Sequence, residues 1–390
     1  MTNKIHSLGV LAWGIAVSLA CPAGAQQAAV SQERDTAVLT TSSASVDFKA
    51  ARPMPLPVFP GYTGVKAQQD VAKSFNVPPG VPAVGPGFEP GNVGTGQKEE
   101  INLGTVSSPT EDTPNTNFEF GTRNLPFTTA RADLSPTATN EAYPYRASGK
   151  LFFLVGADTY VCSASLIQKG LVVTAAHCVA EFGKKTYFSG WQFVPGYRNG
   201  VAPFGTWTIA QARVLDAYYQ GTDKCAQPGV VCEDDVAVLV LNSKKASDGK
   251  PYYAGMNTGW YSFGWDRAGF TGQGVTHLTQ IGYPNCLDSG GFMQRNDAQG
   301  VISADSSSNT IIGSLMCGGS SGGPMVVNFG VRPALTGTAS GASAQPNMVI
   351  GVNSWGSTND AVKYMGASPF RSSNIKVLVD GACKAYPDAC

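Results

Sequence analysis

Short apolar runs separated by turn-forming residues recur from Ala142 to the end of the chain. Glycine, asparagine and aspartate stand between the runs, and these residues favour turns. Runs of this length and spacing predict an all-β protein built as an antiparallel sandwich or barrel. The predicted strands are residues Leu151–Val155, Tyr160–Ile167, Leu171–Ala175, Thr206–Leu215, Val236–Leu241, Ile311–Met316, Met325–Val327 and Val349–Val352.

The first 25 residues have a different pattern. A basic residue, Lys4, precedes an apolar stretch from Leu8 to Ala20, and small residues end the segment at Ala25. This pattern is typical of a cleaved signal peptide, so we expect a secreted protein, extracellular or periplasmic. A lipoprotein with Cys21 lipidated is the alternative, although Ser18 stands where leucine is usual. No apolar run is long enough to predict an integral membrane segment.

Residues 26–141 are rich in proline and glycine and contain no cysteine. The clusters are Arg52-Pro53-Met54-Pro55-Leu56-Pro57 and the stretch from Val77 to Gly91, and apolar periodicity is poor. We interpret this region as a propeptide, with a linker or disordered arm as the alternative. The cut would fall between Arg131 and Arg146, and residues 142–390 would form the functional domain.

The charge distribution gives no support to one class of partner. The chain has 27 basic and 27 acidic residues among 390, and no basic run interleaved with aromatic residues. Nucleic-acid binding therefore has no electrostatic support. The low charged fraction of 14%, with abundant glycine and serine, suits a loop-rich extracellular β protein.

A candidate nucleophile lies in the glycine-rich stretch Gly318–Pro324. Ser321 sits where backbone amides can be exposed, and the N–H groups of Gly319 and Ser321 could stabilise negative charge on a carbonyl oxygen, as in an oxyanion hole. The alternative for this stretch taken alone is a flexible Gly/Ser loop.

A serine nucleophile needs a base, and the chain offers three histidines. His6 lies in the leader and His277 in a polar stretch, where we expect a structural or solvated role. His177 ends a predicted strand and precedes Cys178, which favours it as the base. A buried carboxylate must orient that imidazole, and Asp235, nearest the apolar run from Val236, is favoured over Asp234.

These residues resemble the chymotrypsin-like (trypsin-like) serine peptidases, through Thr174–Cys178, Asp235–Ala237 and Gly319–Pro324. The resemblance covers Ala142 to Cys390 and implies two antiparallel β-barrels. It implies His177 as general base and then acid, Asp235 as its orienting group, Ser321 as nucleophile, and an oxyanion hole at Gly319 and Ser321. The segment Ser372–Val379, with a candidate serine cap and helical spacing, would form a C-terminal helix on the second barrel.

The resemblance also implies the substrate contacts. Ser354, Trp355 and Gly356 would pair with the substrate backbone, and Leu315 would lie at the base of the pocket for the residue preceding the cut bond. Gly282–Pro284 resembles the bacterial glutamyl-endopeptidase-like branch. Ser320 replaces the acid that many animal digestive members use to bind a newly cut N-terminus, so activation by that ion pair is not expected.

Removing the leader leaves eight cysteines, an even number that predicts disulfides in a secreted protein. The resemblance implies a bridge between Cys162 and Cys178. Sequence nearness suggests three more: Cys225 with Cys232, Cys286 with Cys317, and Cys383 with Cys390. No metal site and no cofactor are expected, because no CxxC pair or Cys/His cluster is present.

The predicted function is a secreted serine endopeptidase, made as a precursor, that cleaves protein or peptide substrates as a monomer through an acyl-enzyme intermediate. For the residue preceding the cut bond, uncharged Leu315 favours medium-to-large apolar side chains, with glutamate second and basic side chains third. The alternative is a catalytically silent peptidase-like binding module at the cell surface. An esterase is a further option, but the chain lacks the nucleophile elbow and residue order of α/β-hydrolases.

Overall fold

A computed structural model describes residues 30–33, 35–41, 44–59, 86–104, 127–133, 138–271, 274–303, 308–331, 345–357 and 363–390. The predicted signal peptide at residues 1–25 and the lipidation candidate Cys21 lie outside these residues. Among the described residues, no helix is long and apolar enough to cross a membrane.

The strands in chain order are β1 (Val30–Glu33), β2 (Thr36–Thr40), β3 (Arg52–Pro53), β4 (Val58–Phe59), β5 (Gly87–Glu89), β6 (Ile101–Asn102), β7 (Phe127–Arg131), β8 (Ser148–Val155), β9 (Asp158–Leu166), β10 (Leu171–Thr174), β11 (Ala180–Glu181), β12 (Thr186–Tyr187), β13 (Ser189–Pro195), β14 (Val201–Ala202), β15 (Trp207–Leu215), β16 (Cys225–Gln227), β17 (Val230–Cys232), β18 (Ala237–Leu241), β19 (Lys244–Lys245), β20 (Pro251–Tyr252), β21 (Ser262–Trp265), β22 (Val275–Gly282), β23 (Gln294–Ile302), β24 (Thr310–Gly313), β25 (Pro324–Val327), β26 (Met348–Ser357) and β27 (Tyr364–Pro369). The α-helices are α1 (Asp216–Gln220), α2 (Ala254–Thr258) and α3 (Val377–Ala385). Single helical turns span Thr139–Glu141, Tyr145–Ala147, Ala176–Cys178, Asp288–Gly290, Ser372–Lys376 and Pro387–Ala389.

Two antiparallel barrels of six strands each form the fold, as the sequence predicts. In the first barrel the order is β15-β13-β8-β9-β10-β18, closed by pairing of β18 with β15. In the second barrel the order is β25-β22-β23-β24-β27-β26, closed by pairing of β26 with β25. Each strand of either ring therefore pairs with two neighbours in the same ring.

Burial explains why the predicted strands form. Every residue of β10 and β18 is buried, and both strands consist mainly of β-branched residues and leucine, which pack well in a strand covered on both faces. The largest hydrophobic cluster fills the first barrel and continues into the second through residues such as Ile281, Val326 and Val349. The two barrels therefore share a packed interface.

Strands from the N-terminal region add to both barrels. β2 extends the first barrel by pairing with β15, and β1 pairs with β2. β5 pairs with β21, which lies beside β26, and β7 pairs with β23. The described parts of residues 30–131 therefore contribute to both sheets.

The C-terminal helix forms, but α3 packs mainly on the first barrel, whereas the preceding turn Ser372–Lys376 contacts β21 beside the second barrel. α3 lies against β18 and β15, and its residues Leu378 and Ala382, one helical turn apart, are buried. The predicted serine cap is wrong, because the N-cap residue of the turn is Arg371, whose N–H donates to the Asn374 side chain three residues later at 2.7 Å. A single amphipathic stripe indicates that a helix is buried but does not indicate which barrel covers it.

Four disulfides tie the loops. The bonded pairs are those expected from the sequence: Cys162 with Cys178, Cys225 with Cys232, Cys286 with Cys317, and Cys383 with Cys390.

Candidate active site

Three residues expected from the sequence, His177, Asp235 and Ser321, lie where the barrels join. His177 lies on the helical turn Ala176–Cys178 that follows β10, and Asp235 lies two residues before the start of β18. β10 and β18 pair with Thr174 opposite Ala237, so both side chains leave the same end of the sheet. Cys178 is bonded to Cys162 of β9, which anchors the turn that carries the histidine.

Asp235 holds the histidine in one orientation. Its Oδ1 accepts the backbone N–H of His177 at 2.8 Å, and its Oδ2 lies 2.8 Å from Nδ1 of the imidazole. The Ser354 hydroxyl donates to the same Oδ2 at 2.6 Å. Asp235 is completely buried, and a buried carboxylate needs such compensation for lost water. With Nδ1 bound to the carboxylate, Nε2 is the nitrogen available for proton transfer.

Asp234 has other partners. Its Oδ1 accepts a hydrogen bond from the Asn374 amide at 3.1 Å, and its backbone N–H donates to Asp223 at 2.9 Å. Burial and then the charge of Asp234 raise the pKa of Asp223 to about 7. Burial also raises the pKa of Asp234. The geometry therefore separates Asp235, which contacts the imidazole, from Asp234, which contacts Asp223 and Asn374.

The second barrel supplies Ser321 from the loop between β24 and β25. Gly322 has φ +76°, and a Cβ there would clash with Thr174 Oγ1, so glycine is required where this loop meets the end of β10. The carbonyl of Ser321 accepts the Ser163 N–H at 2.7 Å. Ser321 is thereby held against the strand end that leads to His177.

Ser321 and His177 are both almost completely buried. Ser321 is 0% exposed and His177 is 5% exposed. Neither Ser321 Oγ nor His177 Nε2 has a hydrogen-bond partner among the described residues. Catalytic hydrogen bonds commonly align only when substrate is bound.

Hydrogen bonds to neighbouring carbonyls orient the two amides of the candidate oxyanion hole. The Asn285 N–H donates to the Gly318 carbonyl at 2.8 Å. Because a trans peptide directs its N–H opposite to its C=O, the Gly319 N–H points away from Asn285. In the same way, the Ser320 carbonyl accepts the Asn353 side-chain amide at 3.0 Å and the Gly323 N–H at 2.9 Å, which directs the Ser321 N–H away from them.

A buried polar network supports this loop from below. The Gln280 amide donates to Asn353 Oδ1 at 2.8 Å, and the Ser314 hydroxyl donates to Gln280 Oε1 at 2.7 Å. All three residues are buried. The Ser320 hydroxyl donates to the Cys317 carbonyl at 2.7 Å.

The Ser163 hydroxyl links the two barrels at the same place. It donates to the Gly319 carbonyl and accepts the Tyr283 N–H, each at 2.9 Å. Sequence reasoning found none of Ser163, Asn353 and Gln280 as supporting groups, because a polar residue in a strand gives no local sign of its partner. It named Ser354 only as a substrate contact and missed its bond to Asp235.

The predicted specificity residues lie in the second barrel. Leu315 is half-buried and packs against a hydrophobic cluster that includes Met316 and Met365. Trp355 is completely buried, and its indole donates to Asn309 at 2.7 Å. Gly356 lies near the end of β26. His277, in contrast, is exposed on β22.

Potential metal ligands group twice among the described residues. One group is Cys162, His177 and Cys178, and the other is Asp223, Cys225 and Cys232. The cysteines of both groups are in disulfides and so offer no thiolate to a metal.

A protein-family model described as Trypsin matches residues 136–374, well over half of the chain. This chain belongs to the trypsin family. It is a serine endopeptidase, a hydrolase.

Solved structures similar to this trypsin-family chain include three proteases. A thermostable serine protease, AL20, from an extremophilic microorganism is 21% identical, with a TM-score of 0.48, and the match covers 61% of this chain and 97% of that one. Protease Anisep from Arthrobacter nicotinovorans is 23% identical, with a TM-score of 0.47 and coverage of 61% and 96%. A Glu endopeptidase is 16% identical, with a TM-score of 0.44 and coverage of 66% and 96%. The search of curated proteins gave no match to this trypsin-family chain.

Proposed function

We propose that the chain is a secreted serine endopeptidase, made as a precursor, in which Ser321, His177 and Asp235 form the catalytic triad. The observation that carries the proposal is the doubly hydrogen-bonded contact between Asp235 and His177, at 2.8 Å for each bond, beside the buried loop of Ser321. A carboxylate bound to Nδ1 fixes the tautomer that leaves Nε2 unprotonated and able to accept a proton.

In the proposed reaction, Ser321 Oγ attacks the carbonyl carbon of the substrate peptide while His177 Nε2 takes the hydroxyl proton. The carbonyl oxygen becomes an oxyanion, and the N–H groups of Gly319 and Ser321 stabilise it. His177 then gives its proton to the leaving nitrogen, the C–N bond breaks, and an acyl-enzyme remains. Water repeats the sequence on the acyl carbon, releasing the acid and restoring the Ser321 hydroxyl.

We propose an apolar preference for the residue preceding the cut bond. Leu315 would line that pocket, and it packs against the cluster of Met316 and Met365. Burying a charged substrate side chain in such surroundings without a partner is costly, whereas an apolar one gains from leaving water. Ser354, Trp355 and Gly356 would carry the substrate backbone.

The domain division of the proposal is a signal peptide at residues 1–25, a propeptide at 26–141 and the peptidase domain at 142–390. Four disulfides favour folding in an oxidising compartment, which agrees with export. Precursor status is supported by the strands that the N-terminal region adds next to the candidate site.

The test is to treat the secreted, processed protein with a fluorophosphonate probe and to locate the adduct and the mature N-terminus by mass spectrometry. We expect one adduct, at Ser321, and its loss in Ser321→Ala. Ser247→Ala, at an exposed turn between β19 and β20, is the matched control and should label normally. A folded, processed protein that does not label would refute the triad and favour a binding module.

A further inference from the structure

The proline-rich segment from Ala51 to Phe59 crosses the candidate active site and pairs with both barrels. At its start, β3 pairs in parallel with β9, and the Met54 N–H donates to the Val161 carbonyl at 2.8 Å. At its end, β4 pairs in parallel with β26, with Val58 opposite Gly356. The segment therefore spans the junction where Ser321 and His177 lie.

Between these two ends, the segment occupies an amide of the candidate oxyanion hole. The Gly319 N–H donates to the Met54 carbonyl at 3.3 Å. A Cβ on the neighbouring Gly318 would lie 3.1 Å from the same carbonyl oxygen, which shows how closely the chains approach. A substrate carbonyl could not take this position while Met54 holds it.

The direction of the segment is opposite to that of a substrate in the proposed reaction. There, the residue preceding the cut bond lies near Leu315 and Gly356, so the N-terminal side of a substrate follows β26. In this chain the N-terminal end of the segment, Arg52, lies on β9 and its C-terminal end, Phe59, lies on β26.

The alternation of proline suits this bound form. Pro53, Pro55 and Pro57 have no N–H to donate. The hydrogen bonds described for this stretch come from the N–H and carbonyl of Met54 and from the Pro57 carbonyl, which accepts the Gly356 N–H at 3.4 Å. Proline fixes φ near the extended value, so little conformational freedom is lost on binding. The motif is therefore preorganised for an extended groove.

Leu56 reaches the proposed specificity pocket. Its Cδ1 would lie 3.2 Å from a Cβ on Gly356, and it packs against the same hydrophobic cluster as Leu315. The segment thus fills the mouth of the pocket with an apolar side chain while its backbone covers the oxyanion hole.

We propose that residues Pro53–Pro57 are a peptidase inhibitor carried by the chain itself, bound in the substrate cleft with reversed polarity. The proposal rests on the proposed function, since an inhibitor requires an active site to block. The strands β2, β5 and β7 tie other described parts of the N-terminal region to the barrels, which keeps the segment at high effective concentration.

Reversal would protect the bound segment from cleavage. In a substrate, the leaving nitrogen lies on the side where His177 Nε2 delivers its proton. When the chain is reversed, the Met54 carbonyl presents Cα on that side and the Pro55 nitrogen on the other. Protonation of the leaving nitrogen is then not assisted, and the C–N bond stays intact.

The direction can be tested by a disulfide that does not depend on activity. A Cβ on Gly318 would lie 3.8 Å from Cβ of Pro53, and bonded cysteines have Cβ atoms about 3.8 Å apart. Full-length Gly318→Cys with Pro53→Cys, in a Ser321→Ala background, should form this bond in peptide mapping. The matched control is Gly318→Cys with Pro57→Cys, which should not bond. A bond only in the control would overturn the reversed direction, and a bond in neither would overturn the placement of the segment.

Inhibition is tested by the rate at which a fluorophosphonate labels Ser321 in the intact full chain. Leu56→Asp places a charge in the apolar pocket and should raise the rate at least tenfold, while the exposed Val93→Asp should leave it unchanged. Equal rates in wild type and Leu56→Asp would overturn the inhibitor and leave the peptidase standing. Absence of labelling in every folded variant, including processed protein, would instead overturn the proposed function.

Discussion

Replacing Asn353 by alanine should weaken both the fold and the oxyanion hole. The Asn353 side chain is completely buried and makes two hydrogen bonds, donating to the Ser320 carbonyl at 3.0 Å and accepting from Gln280 at 2.8 Å. Alanine removes both bonds and leaves the Gln280 amide with only the weak acceptor Met365 Sδ, at 3.3 Å.

The magnitude follows from what is left unpaired. A buried donor without a strong partner costs about 1–3 kcal/mol, and the lost side-chain atoms leave a small cavity that adds roughly 1 kcal/mol. The Ser320 carbonyl still accepts the Gly323 N–H, at 2.9 Å, so removing its bond to Asn353 adds little to the cost. We expect Asn353→Ala to lower the free energy of unfolding by about 2–4 kcal/mol.

Activity should fall less than if an oxyanion donor were deleted, which costs about 10²–10³ in kcat. The Ser320 carbonyl orients the peptide that carries the Ser321 N–H, and in Asn353→Ala this carbonyl still accepts the Gly323 N–H. We therefore expect kcat to fall about tenfold with little change in KM. Asn353→Ala leaves the buried Gln280 amide without its strong acceptor, and Gln280→Leu removes that amide. The double variant should therefore lose less free energy of unfolding than the sum of the two single variants.

Urea unfolding of the four variants, in a Ser321→Ala background that prevents self-digestion, measures this coupling as a double-mutant cycle. Initial rates on a chromogenic peptide, with Ser321 intact, measure kcat and KM separately. A loss below 1 kcal/mol for Asn353→Ala, or additive single changes, would refute the view that this amide network supports the nucleophile loop.

Three other predictions follow from the structure. Asp235→Asn should lower kcat by about ten-thousand-fold because it favours the wrong tautomer, whereas Asp234→Asn should have a much smaller effect; comparable losses in both, measured with the same peptide substrate, would contradict the assignment. Burial raises the pKa of Asp223 to about 7, above its value in the unfolded chain, so its contribution to stability is complete below about pH 4 and is lost as pH rises through 7. Asp223→Asn should therefore raise the free energy of unfolding at pH 8, on the order of 2 kcal/mol, and change it little at pH 4. Urea unfolding at both pH values measures this, and a larger gain at pH 4 than at pH 8 would contradict the prediction. Removing the bridge between Cys162 and Cys178, by replacing both with alanine, should cost about 3 kcal/mol from loop entropy and lower the melting temperature, and an unchanged melting temperature would argue against it.

The sequence predicted the barrels because their strands are locally distinctive. β10 and β18 are continuous apolar runs bounded by turn residues, and each leads directly to a residue of the candidate site, His177 or Asp235. Chemistry that depends on residues at strand ends is therefore visible in the pattern, provided the strands are recognised.

Partners across the fold were not predictable in this way. Ser163 and Gln280 resemble any polar residue of a strand, and only the meeting of two barrels gives them their roles. α3 has an apolar stripe that matches either barrel. The alternating prolines near Met54 suggest a linker, because nothing in their sequence indicates which strands they pair with.

The N-terminal strands have a consequence for how such a precursor would be activated. A cut between Arg131 and Arg146 would divide the chain without breaking the ladders that join β2 to β15 or β7 to β23. The product would be a two-chain complex, whose dissociation follows mass action. Specific activity should then rise on dilution: the enzyme would be silent where it is stored at high concentration and would switch on as it disperses.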